Sequence, residues 1–171
     1  METIVKDNGN RNRQPSTKRP KRSAPAPIEV RKSGVHGKGA FATQRIPKGR
    51  RIIEYIGERM PWDAAEEDPE DPHTFLFGLN DCDLVINAAI GGNDARWINH
   101  SCDPNCEAVE EKGRVFIYAL RDLQPGEELF YDYALQIDEP RSAENETHFQ
   151  CHCGAKSCRG TLLSSEQDGK D

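Results

Sequence analysis

Three cysteines lie within eight residues near the end of the printed sequence, at Cys151, Cys153 and Cys158. This C-x-C-x4-C spacing suits one Zn²⁺ ion, but a structural zinc site takes four ligands and the segment supplies three thiols. The fourth ligand must come from elsewhere, and its identity decides which part of the chain this segment packs against. The candidates are Cys82, Cys102, Cys106, His148 and His152.

Composition predicts one domain, because 171 residues with 35% hydrophobic content bury one core of ordinary size. No run approaches the roughly eighteen apolar residues of a membrane span, and residues 1–10 are too polar for a secretory signal. We therefore expect a soluble intracellular protein without membrane contact. In a reducing compartment, its cysteines are metal ligands or free thiols rather than disulfides.

Charge divides the chain into a basic tail and an acidic body. Residues 1–25 hold seven Lys/Arg against two acidic residues, a balance of +5, so a net charge of −6 leaves −11 on residues 26–171. The tail lacks apolar periodicity, and residues 1–27 are predicted to be disordered. Residues 11–22 suit a weak nucleic-acid contact or simple solubilisation. The acidic body favours a basic protein segment as the partner.

Short apolar runs separated by turn residues predict a mainly β fold. Strands are expected at 28–31, 51–58 and 114–120, with a hairpin between 75–79 and 84–87. One or two helical turns are expected near 63–69, between two prolines. Residues 134–150 are polar and are expected to be irregular.

The segment 95–106 combines two amide side chains, a histidine, a turn proline and two thiols in twelve positions. Asn99 and His100 present several hydrogen-bond donors and acceptors side by side, and Cys102 is a soft metal ligand. By itself this pattern is equally compatible with a polar loop.

Taken together, these segments resemble the SET-domain protein-lysine methyltransferases that carry a C-terminal post-SET zinc segment. The matching pieces appear in the family's order over residues 31–162. They are His36-Gly37-Lys38-Gly39 with Phe41-Ala42, residues 54–58, residues 95–106, Gly126-Glu127-Glu128-Leu129 with Tyr131-Asp132-Tyr133, and the C-x-C-x4-C motif.

The resemblance implies a fold of several small curled sheets with a C-terminal pseudoknot. It also implies residue roles, which we take as expectations. Tyr133 would be catalytic, with Tyr55 and Tyr131 lining a channel for the substrate lysine. Cys102 would complete the zinc site of Cys151, Cys153 and Cys158. The residues expected to bind S-adenosylmethionine are Lys38, Gly39, Arg96, Asn99, His100 and Leu162.

The function implied is methyl transfer from S-adenosylmethionine to a lysine of a basic, histone-like protein. The expected organisation is a SET domain over 28–135, a post-SET linker and zinc segment over 136–163, and a disordered end over 164–171. A eukaryotic source would place the protein in the nucleus, and a bacterial source in the cytoplasm. The alternative is a catalytically silent SET-like module that binds basic protein tails. The sequence leaves the oligomeric state open.

Overall fold

The computed structural model describes residues 25–65, 75–79, 83–137 and 140–164. Some predictions fall outside those residues. They concern the basic tail up to residue 24 with its nucleic-acid contact, residues 66–69 of the predicted helical turns, the hairpin tip with Cys82, and the C-terminal residues 165–171.

The described residues contain ten β-strands, two short 3-10 helices and one α-helix. The strands are β1 (Ile28–Lys32), β2 (Lys38–Ala42), β3 (Arg51–Tyr55), β4 (Glu58–Pro61), β5 (Leu76–Gly78), β6 (Leu84–Asn87), β7 (Asn99–His100), β8 (Cys106–Glu111), β9 (Arg114–Ala119) and β10 (Phe130–Tyr131). The helices are the 3-10 turns Trp62–Ala64 and Asp94–Trp97, and α1 (Ala143–His148).

These strands form four small sheets, which confirms the predicted mainly β fold. Three are antiparallel, with strand orders β1-β2, β3-β9-β8 and β4-β6-β5. The predicted hairpin is the β5–β6 pair. The fourth sheet pairs β10 with β7 in parallel.

The β8–β9 hairpin carries much of the core. Its two-residue turn, Lys112-Gly113, has φ values of 54° and 71°, as a turn of this twist requires. Because β9 is the central strand of its sheet, Val115 and Ile117 are covered on all sides and are 0% exposed. Burial of β-branched side chains at such positions is the main source of strand stability.

Two predictions about elements were wrong in detail. The strand expected over 51–58 ends at Tyr55 and restarts at Glu58 in another sheet. Between them the backbone of Gly57 runs so close to β6 that a Cβ would lie 2.3 Å from the Asn87 carbonyl oxygen. The region expected to be irregular contains α1, whose first turn is closed by reciprocal side-chain bonds between Ser142 and Asn145.

The parallel β7–β10 pair positions the site. It aligns Tyr131 with His100, and the Ser101 N–H continues the pairing by donating to the Tyr131 carbonyl. A parallel bridge between Leu135 and Leu163 brings the C-terminal segment alongside. Threading of this segment as a pseudoknot stays a prediction. Among the described residues, no helix has the length and apolar character needed to cross a membrane.

Candidate active site and metal centre

Three buried or half-buried tyrosines converge where β3 and β10 end. The rings of Tyr131 and Tyr133 lie 4.8 Å apart. The Tyr55 hydroxyl donates to the Phe75 carbonyl at 3.0 Å, and the Tyr133 hydroxyl donates to the Ile98 carbonyl at 2.9 Å. Burial raises the pKa of all three phenols above its ordinary value, so each stays neutral and keeps its proton at neutral pH.

Phe77 completes this aromatic cluster and was missed by the sequence reasoning. Its ring lies 5.4 Å from Tyr55 and 6.4 Å from Tyr131. Phe75 packs edge-on against Trp97 at 5.1 Å. The spacing of Phe75 and Phe77 could have indicated this cluster, because residues two apart on a strand share a face. A predicted strand over 75–79 therefore places both phenylalanines on one side.

Asn99 ties the active-site strand β7 to the glycine-rich segment. Its side-chain amide donates to the Lys38 carbonyl at 2.9 Å and to Glu128 Oε1 at 3.1 Å. That Glu128 oxygen occupies the space above Gly39, only 2.1 Å from where a Cβ would stand. The predicted cofactor residues Lys38, Gly39 and Asn99 therefore lie together.

Beside this segment is an open cavity of about 650 Å³, lined in part by Gly37, Lys38 and Trp97. The Lys38 ammonium lies 4.7 Å from the centroid of the Trp97 ring, and the Arg96 guanidinium lies 5.0 Å from it. Buried Nε of Arg96 has no hydrogen-bond partner among the described residues. The cavity lining itself combines cations, the carboxylate of Asp94 and the aromatic face of Trp97. These groups suit a ligand that carries both an anionic carboxylate and positive charge, so they fit S-adenosylmethionine.

The four predicted zinc ligands form one cluster. The Sγ atoms of Cys102, Cys151, Cys153 and Cys158 all lie within 4.8 Å of one another. The separation is 3.7 Å between Cys102 and Cys151 and 3.9 Å between Cys102 and Cys158. A Zn–S bond of about 2.3 Å implies a tetrahedral edge of about 3.8 Å. The thiols therefore have the spacing that zinc requires.

Backbone N–H groups donate hydrogen bonds to two sulfur atoms of this cluster, which stabilises negative charge on them. The Cys102 N–H donates to Cys153 Sγ at 3.5 Å, and the Gly160 N–H donates to Cys158 Sγ at 3.4 Å. Burial raises the pKa of the Cys102 and Cys151 thiols, whereas the hydrogen bonds to the Cys153 sulfur outweigh burial and lower the pKa of that thiol to about 6. A thiolate is the form that binds metal.

The other candidates for the fourth ligand are separated from this cluster. The Cys106 side chain is 0% exposed in the hydrophobic core, and burial raises its pKa to about 12. His148 and His152 are exposed and outside the group of clustered ligands. Cys82 lies outside the described residues.

His100 links the cysteine cluster to the tyrosines. Its Nδ1 accepts the Tyr133 N–H at 3.1 Å, and its Nε2 lies 3.4 Å from Cys102 Sγ. Burial lowers the pKa of His100 to about 4, so the ring is neutral near pH 7 and carries its proton on Nε2. Both ring nitrogens therefore contact other groups of the protein, and the binding of the cofactor by His100 stays a prediction.

The sequence reasoning also missed an ion pair between the zinc segment and the tyrosine motif. Arg159 makes two 2.6 Å hydrogen bonds to the carboxylate of Asp132. Burial alone would raise the pKa of Asp132, but the hydrogen bonds from Arg159 and from the Ala134 N–H, together with the charge of Arg159, outweigh burial and lower the pKa. Leu162, expected to cover the cofactor, is half-buried and bonds to Leu135 and Phe149 through its main chain.

Comparison with known proteins points to one family. The SET-domain family model matches residues 37–134, more than half of the 171 residues. The chain is 38% identical over 146 residues to "Histone-lysine N-methyltransferase, H3 lysine-4 specific" of Candida albicans, covering 80% of this chain and 14% of that protein. The protein of the same name from Saccharomyces cerevisiae gives 38% identity over 146 residues, 80% of this chain and 13% of the relative.

A human relative extends the comparison beyond fungi. "Histone-lysine N-methyltransferase 2B" of Homo sapiens is 38% identical over 151 residues, 83% of this chain and 5% of that protein. The chain therefore spans only a small part of the length of these curated relatives. The family model match and the tyrosine, asparagine and cysteine clusters agree, and the chain belongs to the SET-domain family.

Proposed function

We propose that the chain is an S-adenosylmethionine-dependent protein-lysine N-methyltransferase. One observation carries this proposal: three neutral phenols converge beside the Asn99–Lys38 contact, next to a cavity whose donors fit the cofactor. Asn99 lies on β7 and Tyr131 on the neighbouring β10, so one pair of strands holds both the proposed cofactor site and the proposed lysine channel. A site of this kind would hold an amine and a methyl donor in line, and such orientation alone supplies much of the catalysis.

The tyrosines would bind and orient the substrate amine. A lysine attacks only as the free amine, and burial in the aromatic channel disfavours its ammonium form. Because their pKa values are raised, the phenols of Tyr55, Tyr131 and Tyr133 do not serve as phenolate bases near neutral pH. They act as hydrogen-bond partners, and their ring faces stabilise the nitrogen as positive charge develops on it.

Bound S-adenosylmethionine would supply an electrophilic methyl group on a sulfonium. The residues proposed to hold it are those expected from the resemblance: Lys38, Gly39, Arg96, Asn99, His100 and Leu162. Asn99 would act by fixing the glycine-rich segment. His100 would act indirectly, since its ring holds Tyr133 and Cys102 in place.

We further propose one structural Zn²⁺ bound by Cys102, Cys151, Cys153 and Cys158. Four thiolates form a closed tetrahedral site without an open position for water. This ion would fasten a post-SET segment over 136–163 onto a SET domain over 28–135. Its role would be to hold one wall of the active site.

The proposed substrate is a lysine in a basic segment of histone H3. Two considerations support this choice. The fungal relatives are named as specific for lysine 4 of H3, and the acidic body of this chain attracts a cationic tail. A histone substrate in turn favours a nuclear location.

A methyl-transfer assay tests the proposal. Purified protein is incubated with S-adenosylmethionine carrying a labelled methyl group and with separate histones, and lysine methylation is located by mass spectrometry. We expect label on H3, and a loss of most of the rate in Tyr133→Phe while cofactor binding by calorimetry is retained. Absence of transfer by the native protein to every histone, despite bound cofactor, would favour the silent binding module instead.

A further inference from the structure

Arg159 connects the cysteine cluster directly to the tyrosine motif. It follows Cys158 in the chain, and both terminal nitrogens of its guanidinium bond to the carboxylate of Asp132 at 2.6 Å. Its Nε also donates to the Leu163 carbonyl at 3.0 Å. This single side chain therefore connects the cysteine segment to the C-terminal Leu163 and to Asp132, which directly follows β10.

Asp132 controls the backbone on the far side of Tyr133. The same Oδ1 that contacts Arg159 accepts the Ala134 N–H at 2.9 Å. Ala134 has φ of 44°, a left-handed conformation that residues with a side chain seldom adopt. The bond to Asp132 helps to hold this conformation, which sets the direction of the chain as it leaves Tyr133.

A second connection reaches Tyr133 from the other side of the cysteine cluster. The Tyr133 N–H donates to Nδ1 of His100, whose Nε2 contacts Cys102 Sγ. Nδ1 also lies 3.5 Å from Asp132 Oδ1. Cys102 is thus connected to the Tyr133 backbone through the His100 side chain. Cys158 is connected to the residue after Tyr133 through its neighbour Arg159, which bonds to Asp132.

We propose that the Arg159–Asp132 pair is a positioning device that transmits the fixed geometry of the cysteine cluster to the catalytic Tyr133. This inference rests on the proposed function for its kinetic consequence. The Tyr133 hydroxyl contacts the Ile98 carbonyl at 2.9 Å, so a backbone shift at Tyr133 moves the group that orients the amine. Small displacements of this kind are costly, since misplacement by about 1 Å reduces a rate by about a hundredfold.

The geometry requires arginine specifically. A guanidinium presents parallel N–H groups that match both carboxylate oxygens, whereas a lysine ammonium is a point charge. The pair is also shielded, with side-chain exposures of 24% for Arg159 and 35% for Asp132. The Arg45–Asp122 pair is more exposed, at 60% and 45%, and joins two loops elsewhere, which makes it a matched control.

Kinetics of the holoenzyme test the positioning role. We expect Arg159→Gln and Asp132→Asn each to lower kcat about tenfold or more, with the KM for an H3 peptide and the zinc content unchanged. Arg159→Lys should recover part of kcat but not all of it. The double variant should be no slower than the worse single variant, because the two residues act as a unit. Additive losses, or a change confined to KM, would overturn the proposal, and Arg45→Gln should match the native enzyme.

Amide hydrogen exchange measured by NMR tests the same coupling without any reaction. Arg159→Gln should accelerate exchange at the Ala134 and Tyr133 amides at least several-fold, while Arg45→Gln leaves both unchanged. Unchanged exchange in Arg159→Gln would refute the coupling even in an active enzyme. If the native protein transfers no methyl group, the proposed function fails, and the exchange result still decides whether Arg159 positions Tyr133.

Discussion

Tyr131 forms a wall of the aromatic cluster, between Phe77 and Tyr133. Its hydroxyl adds polar bulk to a site where a lysine nitrogen would enter. Such a hydroxyl bonds the amine or holds a water, and it occupies the space that additional methyl groups need. The native protein is therefore expected to stop mainly at mono- or dimethyl-lysine.

Tyr131→Phe is expected to raise the methylation state while activity is preserved, because only the hydroxyl is removed and the ring still packs. Mass spectrometry of a methylated H3 peptide measures this shift. Tyr118→Phe is the control, since the Tyr118 hydroxyl bonds to Glu111 on the β8–β9 sheet. Abundant trimethylation by the native protein would contradict the expectation.

Asn99→Asp should weaken the binding of S-adenosylmethionine more than Asn99→Ala does. The alanine removes the donor to the Lys38 carbonyl, a loss of about 1–3 kcal/mol, or about 5- to 150-fold in affinity. The aspartate also places an anion against Glu128 Oε1, now 3.1 Å from the amide. Calorimetry measures the affinities, and an equal zinc content in all three proteins confirms that the fold is retained. Equal affinity in the native protein and both variants would refute the role.

At the scale of elements, strand predictions succeeded where apolar and β-branched residues dominate, as in β9. They failed for β8, because Cys106–Glu111 contains three glutamates and pairs only through its hairpin with β9. β2 was not among the predicted strands, yet it pairs along its full length with β1. Tertiary contacts overrode local propensity in both strands.

The two cysteines that flank the 102–106 turn should behave oppositely. Cys102→Ala is expected to lose the bound zinc, because one of four clustered ligands disappears. Cys106→Ala should keep it, at a modest cost in stability, since this thiol lies in the core. Elemental analysis measures zinc per chain. Loss of zinc in Cys106→Ala with retention in Cys102→Ala would show that the ligand assignment is wrong.

At the scale of the whole molecule, the cysteine cluster joins residues far apart in the chain. Cys102 meets cysteines 49 and 56 residues further on. The C-terminal segment is also held by main-chain hydrogen bonds. The Leu162 N–H donates to the Phe149 carbonyl, and the Leu135 N–H donates to the Leu162 carbonyl. A metal that binds only the folded state contributes its binding free energy to stability.

Removal of zinc by a chelator should therefore release the segment 140–164 and abolish methyl transfer. Limited proteolysis should show new cleavage in this segment, while the β3-β9-β8 sheet stays protected. Restoring zinc should reverse both effects. Full activity in protein shown by elemental analysis to contain no zinc would exclude a structural role for the ion.

The sequence by itself determined the chemistry that is available. Three thiols within eight residues predicted a zinc site that needs a fourth ligand, and short apolar runs separated by turn residues predicted a mainly β fold. Tyr131 and Tyr133 are two residues apart, a spacing that puts side chains on one face of an extended segment, and their rings lie 4.8 Å apart. These features involve residues that are close together in the chain, so their spacing in the sequence is enough to predict them.

Only the tertiary structure decided which distant groups meet. It placed Cys102 among the clustered thiols and Cys106 in the core, although only three residues separate them. It also paired Arg159 with Asp132, 27 residues apart, and placed the His100 ring between the Tyr133 N–H and Cys102 Sγ. Such choices depend on distances across packed segments, and a linear pattern of residue types does not contain those distances.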